Sequence, residues 1–263
     1  MCIISNVFWG EDTMNTIKFD SKQALVVAHR GLSGLEPENS IPAFVAAGNR
    51  SYFGVETDIH VTKDNKFIVV HDDTTARVAG DNINIEESTF DFARKIVLDN
   101  ICKVERESGV KIGALKGRDD LLLPRLEDYV NICKKYEKVC VLELKNTMQP
   151  ENIEQLVEEI KELDYLENVI FISFSLKNMI NLRKLLPEQT LQYLTSVYNE
   201  EVYQALKEYN LDWDVNYKAL TKEIIDELHA EGIKINCWTV DEKEDAERLA
   251  DWGVDFITTN ILE

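Results

Sequence analysis

Two histidines stand where apolar runs end in this chain. Ala24-Leu25-Val26-Val27-Ala28 leads into His29-Arg30-Gly31, and Phe67-Ile68-Val69-Val70 leads into His71-Asp72. Imidazole is the side chain whose ordinary pKa lies nearest neutral pH, so two of them facing one site could take and return a proton. Taken alone, a histidine at a strand end reads more simply as a hydrogen-bonded structural residue. The carboxylates nearby change the balance.

Glu56 and Asp58 are two apart in an apolar run that begins Gly54-Val55. On a strand they share a face, with about 6.5 Å between them along the chain. Two carboxylates turned into a barrel would repel each other and lose hydration unless something neutralised them. One divalent cation does this with hard oxygen ligands, Mg²⁺ or Ca²⁺ first and Mn²⁺ as a further candidate. The alternative is an outward, solvated pair on an edge strand. Val139-Cys140-Val141-Leu142 ends in Glu143-Leu144-Lys145, again with period two. Glu143 and Lys145 therefore offer either a further metal carboxylate and a phosphate-binding cation, or a buried ion pair. His60 shares the face of Glu56 and Asp58 and is a candidate fourth ligand, although its place further along the strand argues for a position outside the metal shell. His229 reads as a surface residue. Trp238 ends the run Ile233–Cys237 and either packs in the core or lines the pocket mouth.

These side chains need a scaffold that brings several strand ends together. Strand-like runs at 24–29, 54–60, 67–71, 139–145, 168–173, 190–194, 211–215, 233–238 and 255–259 alternate with helical patterns. Ile153, Leu156, Val157, Ile160 and Leu163 form one apolar stripe. Ser40 is placed to cap a helix with Pro42 in its first turn, Gly232 to end another, and Asp241 with Glu244 to form a capping box. Repeated β-α units imply a parallel sheet. Near-eight strands with polar residues at several C-terminal ends favour an α/β (β/α)8 TIM barrel over an open doubly wound sheet. Residues 24–263 form the expected barrel. Residues 76–124 read as an insertion after the second strand region, packed over one end of the barrel, with a helix near 88–102. Residues 1–23 read as a leader and barrel-closing segment, with Met14 an alternative start. No helical pattern follows the last strand, and residues 15–23 are placed to cover part of that gap.

The 263 residues carry 29 basic and 48 acidic side chains, a formal net charge of −19. Such a surface repels phosphate backbones, which argues against nucleic acid or an anionic membrane as partner. An anionic small-molecule substrate would need local positive charge from the site itself. No run approaches a membrane span, so stable membrane insertion is not expected. The N-terminus lacks the pattern of a signal peptide, and a cytoplasmic location follows. Cys2, Cys102, Cys133, Cys140 and Cys237 are odd in number and form no CxxC pair, so they read as free thiols. The oligomeric state is left open.

His29-Arg30-Gly31, Pro37-Glu38-Asn39-Ser40, Ala43-Phe44 and Gly48 resemble the opening signature of the glycerophosphodiester phosphodiesterase family. Glu56-x-Asp58, Thr62-x-Asp64, Val69-Val70-His71-Asp72 and Arg77 follow at that family's spacing. Leu123-Pro124-Arg125-Leu126-Glu127, Glu143-Leu144-Lys145, Trp238-Thr239-Val240 and Gly253-Val254-Asp255 with Ile257-Thr258-Thr259 are similar to its later pieces. The likeness spans residues 24–260 and is most specific in the first third. It implies His29 and His71 as the acid/base pair, Glu56, Asp58 and Glu143 as metal ligands, and Arg30 and Lys145 as phosphate binders. The chain departs from the family at Asn65, where glycine is usual, at Asn260, where aspartate is common, and at Arg125, where a small residue is usual. None of these removes a catalytic group.

The resemblance implies hydrolysis of a glycerophosphodiester to sn-glycerol 3-phosphate and an alcohol, within glycerophospholipid metabolism. A lysophospholipase D-like activity would use the same residues and an apolar groove. A barrel that only binds a phosphorylated metabolite would not need two histidines. A metal-dependent sugar-phosphate isomerase on the same fold is a further, weaker reading.

Overall fold

The computed structural model describes residues 15–80, 82–98 and 118–263. Eight parallel strands close into a barrel: β1 (Leu25–Ala28), β2 (Gly54–Val61), β4 (Val139–Leu144), β5 (Val169–Ser173), β6 (Leu191–Thr195), β7 (Asp212–Asn216), β8 (Ile235–Trp238) and β9 (Phe256–Thr259). β1 completes the ring by pairing with β9 on one side (Leu25↔Phe256) and with β2 on the other (Val27↔Gly54). The ninth strand, β3 (Phe67–Val69), runs antiparallel on β2 with Ile59 opposite Val69. Its link to β2 is far too short for a parallel crossover, so the chain must turn back as a hairpin. Asn65 makes that turn at φ 55°, a left-handed conformation that asparagine accepts more readily than most residues. The strand ends at Val69 rather than 71, so His71 stands on the segment beyond it.

Helices α1 (Ile41–Gly48), α3 (Leu126–Lys135), α4 (Pro150–Glu162), α5 (Leu176–Leu185), α6 (Glu200–Glu208), α7 (Lys222–Ala230) and α8 (Lys243–Trp252) surround the barrel, and a single turn, α2 (Phe90–Ala93), lies in the insertion. Ser40 caps α1 by accepting from the Ala43 N–H at 3.2 Å, with Pro42 in the first turn. Ile153, Leu156, Val157 and Ile160 are the buried stripe of α4. Alternation along the strands divides the apolar side chains. One set, with Val55, Ile59, Cys140 and Leu142, packs under the helices. Val27, Val141, Ile170, Ile172, Leu194 and Phe256 form a separate cluster from the intervening strand positions.

Two expectations need correction. The helix near 88–102 is only the turn 90–93 among the described residues, because Val97 bridges to Leu122 and Leu98 donates to the Leu121 carbonyl at 2.8 Å. The remainder of that stretch, with the 1–13 leader, Cys2 and Cys102, lies outside the described residues. Asp241 does not cap α8, whose N-cap is Glu242 without a side-chain bond. Its carboxylate accepts from Thr259 and Asn260 instead. No helix among the described residues is long and apolar enough to cross a membrane.

Ile17 forms a parallel bridge with Leu262, and Glu263 fastens the segments around it. The Glu263 carboxylate accepts from the Ser51 N–H (3.0 Å), Ser51 Oγ (2.7 Å) and Thr16 Oγ1 (2.7 Å), and pairs with Lys18. Burial opposes its ionisation, but these donors hold its pKa down to about 2. A depressed carboxyl stabilises the fold above its unfolded pKa of about 4.3, and that contribution fades as pH falls through about 2. Glu263→Gln should therefore cost about 2 kcal/mol at pH 7 in urea unfolding, the scale of charge-assisted hydrogen bonds. The gap should close with acid. A gap that stays constant down to pH 2 would show that the charge plays no part.

Candidate active site

The C-terminal ends of the strands converge on a cavity of about 100 Å³. His29, Arg30, Glu56, His71, Glu143, Asp214 and Trp238 are among its lining residues. A larger cavity, about 550 Å³, lies at the opposite end against Phe53, Val139, Val169 and Thr190. It gathers no comparable set of histidines and buried carboxylates, so the smaller cavity is the candidate active site.

β2 and β4 deliver the three carboxylates. Asp58 pairs in register with Glu143, and both are buried, as is Glu56. An oxygen from each lies within 4.8 Å of the others. That is about twice the usual distance from Mg²⁺ or Ca²⁺ to oxygen, so one ion could touch all three. Burial, then Asp58 and Glu143, pushes Glu56 well above the ordinary carboxylate range. Burial, then Asp58, lifts Glu143 to about 8 even beside Lys145. Asp58 goes the other way. Burial opposes its ionisation, but Arg30 and then Lys145 outweigh it, so Asp58 is the ionised member. Its Oδ1 is buried without a hydrogen bond among the described residues. An all-oxygen set with a spare buried lone pair fits a hard divalent cation. Outward, solvated carboxylates are excluded.

Lys145 donates to Glu143 at 2.8 Å and stands 3.5 Å from Asp58. Arg30 donates its backbone N–H to Glu56 at 2.7 Å, while its guanidinium meets Glu38 at 2.8 Å and Asp58 at 3.6 Å. The turn that carries Arg30 has a positive φ of 53°, and Gly31 follows at 74°. A β-carbon at Gly31 would come within 2.6 Å of the Ala43 backbone, so only glycine lets the strand end approach α1. Asn39 donates to Asp58 at 2.8 Å and is itself held by Thr57 at 2.7 Å.

Each histidine is held by its Nδ1. Asn260 donates its amide N–H to the Asp241 carboxylate at 2.6 Å, which orients the amide oxygen towards His29 Nδ1 at 2.8 Å. An amide oxygen only accepts, so Nδ1 carries the proton and Nε2 keeps its lone pair. Burial, then neighbouring Arg30, pushes the His29 pKa down to about 4. His29 is a neutral imidazole at pH 7. His71 Nδ1 is bonded to the Asp72 carboxylate at 2.6 Å, which again leaves Nε2 for the site. Burial lowers its pKa as well, against the pull of Asp58 and Asp72. Arg77 grips Asp72 (2.7 Å) and Glu38 (2.5 Å), and Glu38 in turn meets Arg30. An unbroken ionic chain thus links Asp58, Arg30, Glu38, Arg77, Asp72 and His71.

The other two histidines are elsewhere. His60 is buried against Glu86 (3.0 Å) and the His71 carbonyl (3.2 Å), outside the acidic cluster. His229 bonds Asp255 at 2.9 Å on the outside of the barrel. Trp238 lines the cavity and meets Phe174 edge-on at 5.7 Å, so it forms a pocket wall. Sequence reading alone did not single out Asp214. Alternate residues of β7 are Asp212, Asp214 and Asn216, and polar alternation in a strand with no solvated face was the signal available. The supporting roles of Asp72, Asp241 and Asn260 depend on contacts that no spacing reveals.

Residues 29–263 match the glycerophosphoryl diester phosphodiesterase family. A glycerophosphodiester phosphodiesterase of Caldanaerobacter subterraneus subsp. tengcongensis is 29% identical over 90% of this chain and 94% of its own. A human lysophospholipase D is 25% identical over 89% and 82%. An Oleispira antarctica phosphodiesterase, solved with the product sn-glycerol-3-phosphate, superposes with a TM-score of 0.77 at 21% identity, covering 92% of this chain and 95% of that one. A Parabacteroides distasonis glycerophosphodiester phosphodiesterase gives 0.72 at 26%, covering 94% of both chains. With the match running over nearly the whole barrel and including every residue of the site, the chain belongs to the glycerophosphoryl diester phosphodiesterase family.

Proposed function

We propose that this protein hydrolyses glycerophosphodiesters to sn-glycerol 3-phosphate and an alcohol, in glycerophospholipid metabolism, by acid/base catalysis beside a divalent cation. The observation that carries the reading is the pair of imidazoles, each with Nδ1 anchored and Nε2 left for one cavity that also holds three buried carboxylates. Arg30 and Lys145 bind the phosphate and stabilise charge on its oxygens. Held by Glu56, Asp58 and Glu143, Mg²⁺ or Ca²⁺, or Mn²⁺, would polarise a phosphoryl oxygen and neutralise charge. The neighbouring glycerol hydroxyl attacks phosphorus as one histidine takes its proton and the other protonates the departing alcohol oxygen. A cyclic phosphate forms. In the second half the histidines exchange roles, and water opens the ring.

Chelation should abolish turnover of glycerophosphocholine, and Mg²⁺, Ca²⁺ or Mn²⁺ should restore it. Asp58→Asn should raise the metal concentration needed for half-activity by about tenfold or more, because a neutral amide is a poorer ligand for a hard cation. Full turnover in metal-free buffer, or an unchanged metal requirement in Asp58→Asn, would overturn the cation's role.

A second reading, lysophospholipase D, draws on Phe174, which is 48% exposed beside Trp238 at the cavity and could meet an acyl chain. Rates that rise with acyl length on lysolipids would favour it. A cytoplasmic location belongs to the proposal, and the free thiols Cys133, Cys140 and Cys237 suit a reducing compartment.

A further inference from the structure

Asp214 is 2% exposed, and its Oδ1 is buried with no hydrogen-bond partner among the described residues. Trp238 Nε1 is buried and unpartnered in the same way. Buried polar groups in native proteins are almost always paired, so two orphans on one cavity wall need an explanation. Both residues line the cavity that holds the histidines and carboxylates. They come from adjacent strands, with Asp214 opposite Asn236 and Trp238 opposite Asn216. In the closed ring β7 stands four strands from β2, so Asp214 lies diametrically across the barrel from Glu56 and Asp58.

The chemistry of the two orphans narrows the ligand. Indole N–H only donates, while the Asp214 carboxyl, which burial and then Glu143 hold well above the ordinary carboxylate range, both donates and accepts. A phosphate already has Arg30 and Lys145. A hydroxyl both donates and accepts, and so satisfies the pair. We propose that Asp214, with Trp238, binds the terminal hydroxyl of the glycerol unit and makes the enzyme selective for glycerophosphodiesters with no acyl chain at that position. This rests on the glycerophosphodiester reading above. The 2-hydroxyl is engaged in attack on phosphorus, which leaves the terminal hydroxyl to reach the opposite wall. An acyl ester there removes the donor and leaves the Asp214 carboxyl buried and unpaired, so lysolipids acylated at that oxygen are disfavoured.

The test uses the Mg²⁺-loaded enzyme and two substrates, glycerophosphocholine and its analogue lacking only the terminal hydroxyl. Wild type should prefer the parent by about 10²-fold in kcat/KM, because a site built to bond a hydroxyl strongly rejects the analogue without it. Asp214→Leu should reduce that preference to near unity, with kcat/KM on the parent falling far more than on the analogue. Asp214→Asn, which retains hydrogen-bonding capacity, should keep most of the preference. If Asp214→Leu does not fold, Asp214→Ala and wild type carry the comparison. Equal kcat/KM for both substrates in wild type, an intact preference in the variants, or an equal loss on both substrates would each overturn the proposal. So would a loss confined to choline over an uncharged head group, which would assign Asp214 to the leaving alcohol. Calorimetric binding of sn-glycerol 3-phosphate against propane-1,2-diol 1-phosphate repeats the comparison without turnover. A binding preference that Asp214→Ala abolishes would support the hydroxyl site even if glycerophosphodiester hydrolysis itself failed.

Discussion

His29→Ala and His71→Ala are each expected to lower kcat on glycerophosphocholine by about 10²-fold or more while the barrel persists, the usual scale for loss of a positioned acid or base. The supporting residues differ, and that difference sharpens the expectation. His29 has a neutral amide behind it, Asn260, and burial keeps the ring uncharged. His71 has a carboxylate behind it, Asp72, itself gripped by Arg77. Removing both imidazoles should cost far less than the product of the single losses, because the proton that one takes is matched by the proton the other gives. His229→Ala is the control, since it bonds Asp255 away from the cavity. His60 cannot serve as one, because it is buried and bonded to the His71 carbonyl. A double variant that loses the full product of the single effects, or a His229→Ala enzyme as damaged as His29→Ala, would refute the paired role.

The cluster of three buried carboxylates was legible in the sequence because period two is a strong constraint. Once Gly54–Val61 is a strand in a closed barrel, Glu56 and Asp58 must share a face, and the register that sets Asp58 beside Glu143 completes the cluster. His29, Arg30 and Gly31 were legible for the same reason, at the end of a strand whose apolar run leaves no ambiguity. What spacing could not show was the outer ring of contacts. Asp241 and Glu244 have the spacing of a capping box, yet Asp241 serves Asn260 instead. A local pattern was outweighed by a strand end that lies beside it only in the folded barrel. Asp72 looked like a companion of His71 in sequence, but its bond to Arg77 and the link through Glu38 to Arg30 join residues up to 39 apart. Asn260 was visible only as a departure from a family pattern, and it becomes the hydrogen-bond partner of His29 only in the folded barrel. Asp214 lies in none of the family-like motifs, and only its alternation with Asp212 and Asn216 marks it.

Removing the hydroxyl next to the phosphodiester should have the largest effect of all. Thr239 and Thr258 line the cavity, which sequence reading had not anticipated, but Thr258 donates its hydroxyl to Asn236 at 3.0 Å. Neither imidazole is hydrogen-bonded to a serine, threonine or cysteine side chain among the described residues, and His29 and His71 are anchored instead to Asn260 and Asp72. A protein nucleophile would need a base within hydrogen-bond reach. The substrate's own 2-hydroxyl needs only to be held near phosphorus, and that proximity can supply on the order of 7 kcal/mol of the barrier. The 2-deoxy analogue of glycerophosphocholine keeps the phosphate proposed to bind Arg30 and Lys145, so its Kd should change little. Its kcat should fall by about 10³-fold or more, and no cyclic phosphate should appear by phosphorus NMR during turnover. Equal kcat for the two compounds would instead assign the attack to water, with the histidines kept as acid and base and the cyclic route discarded.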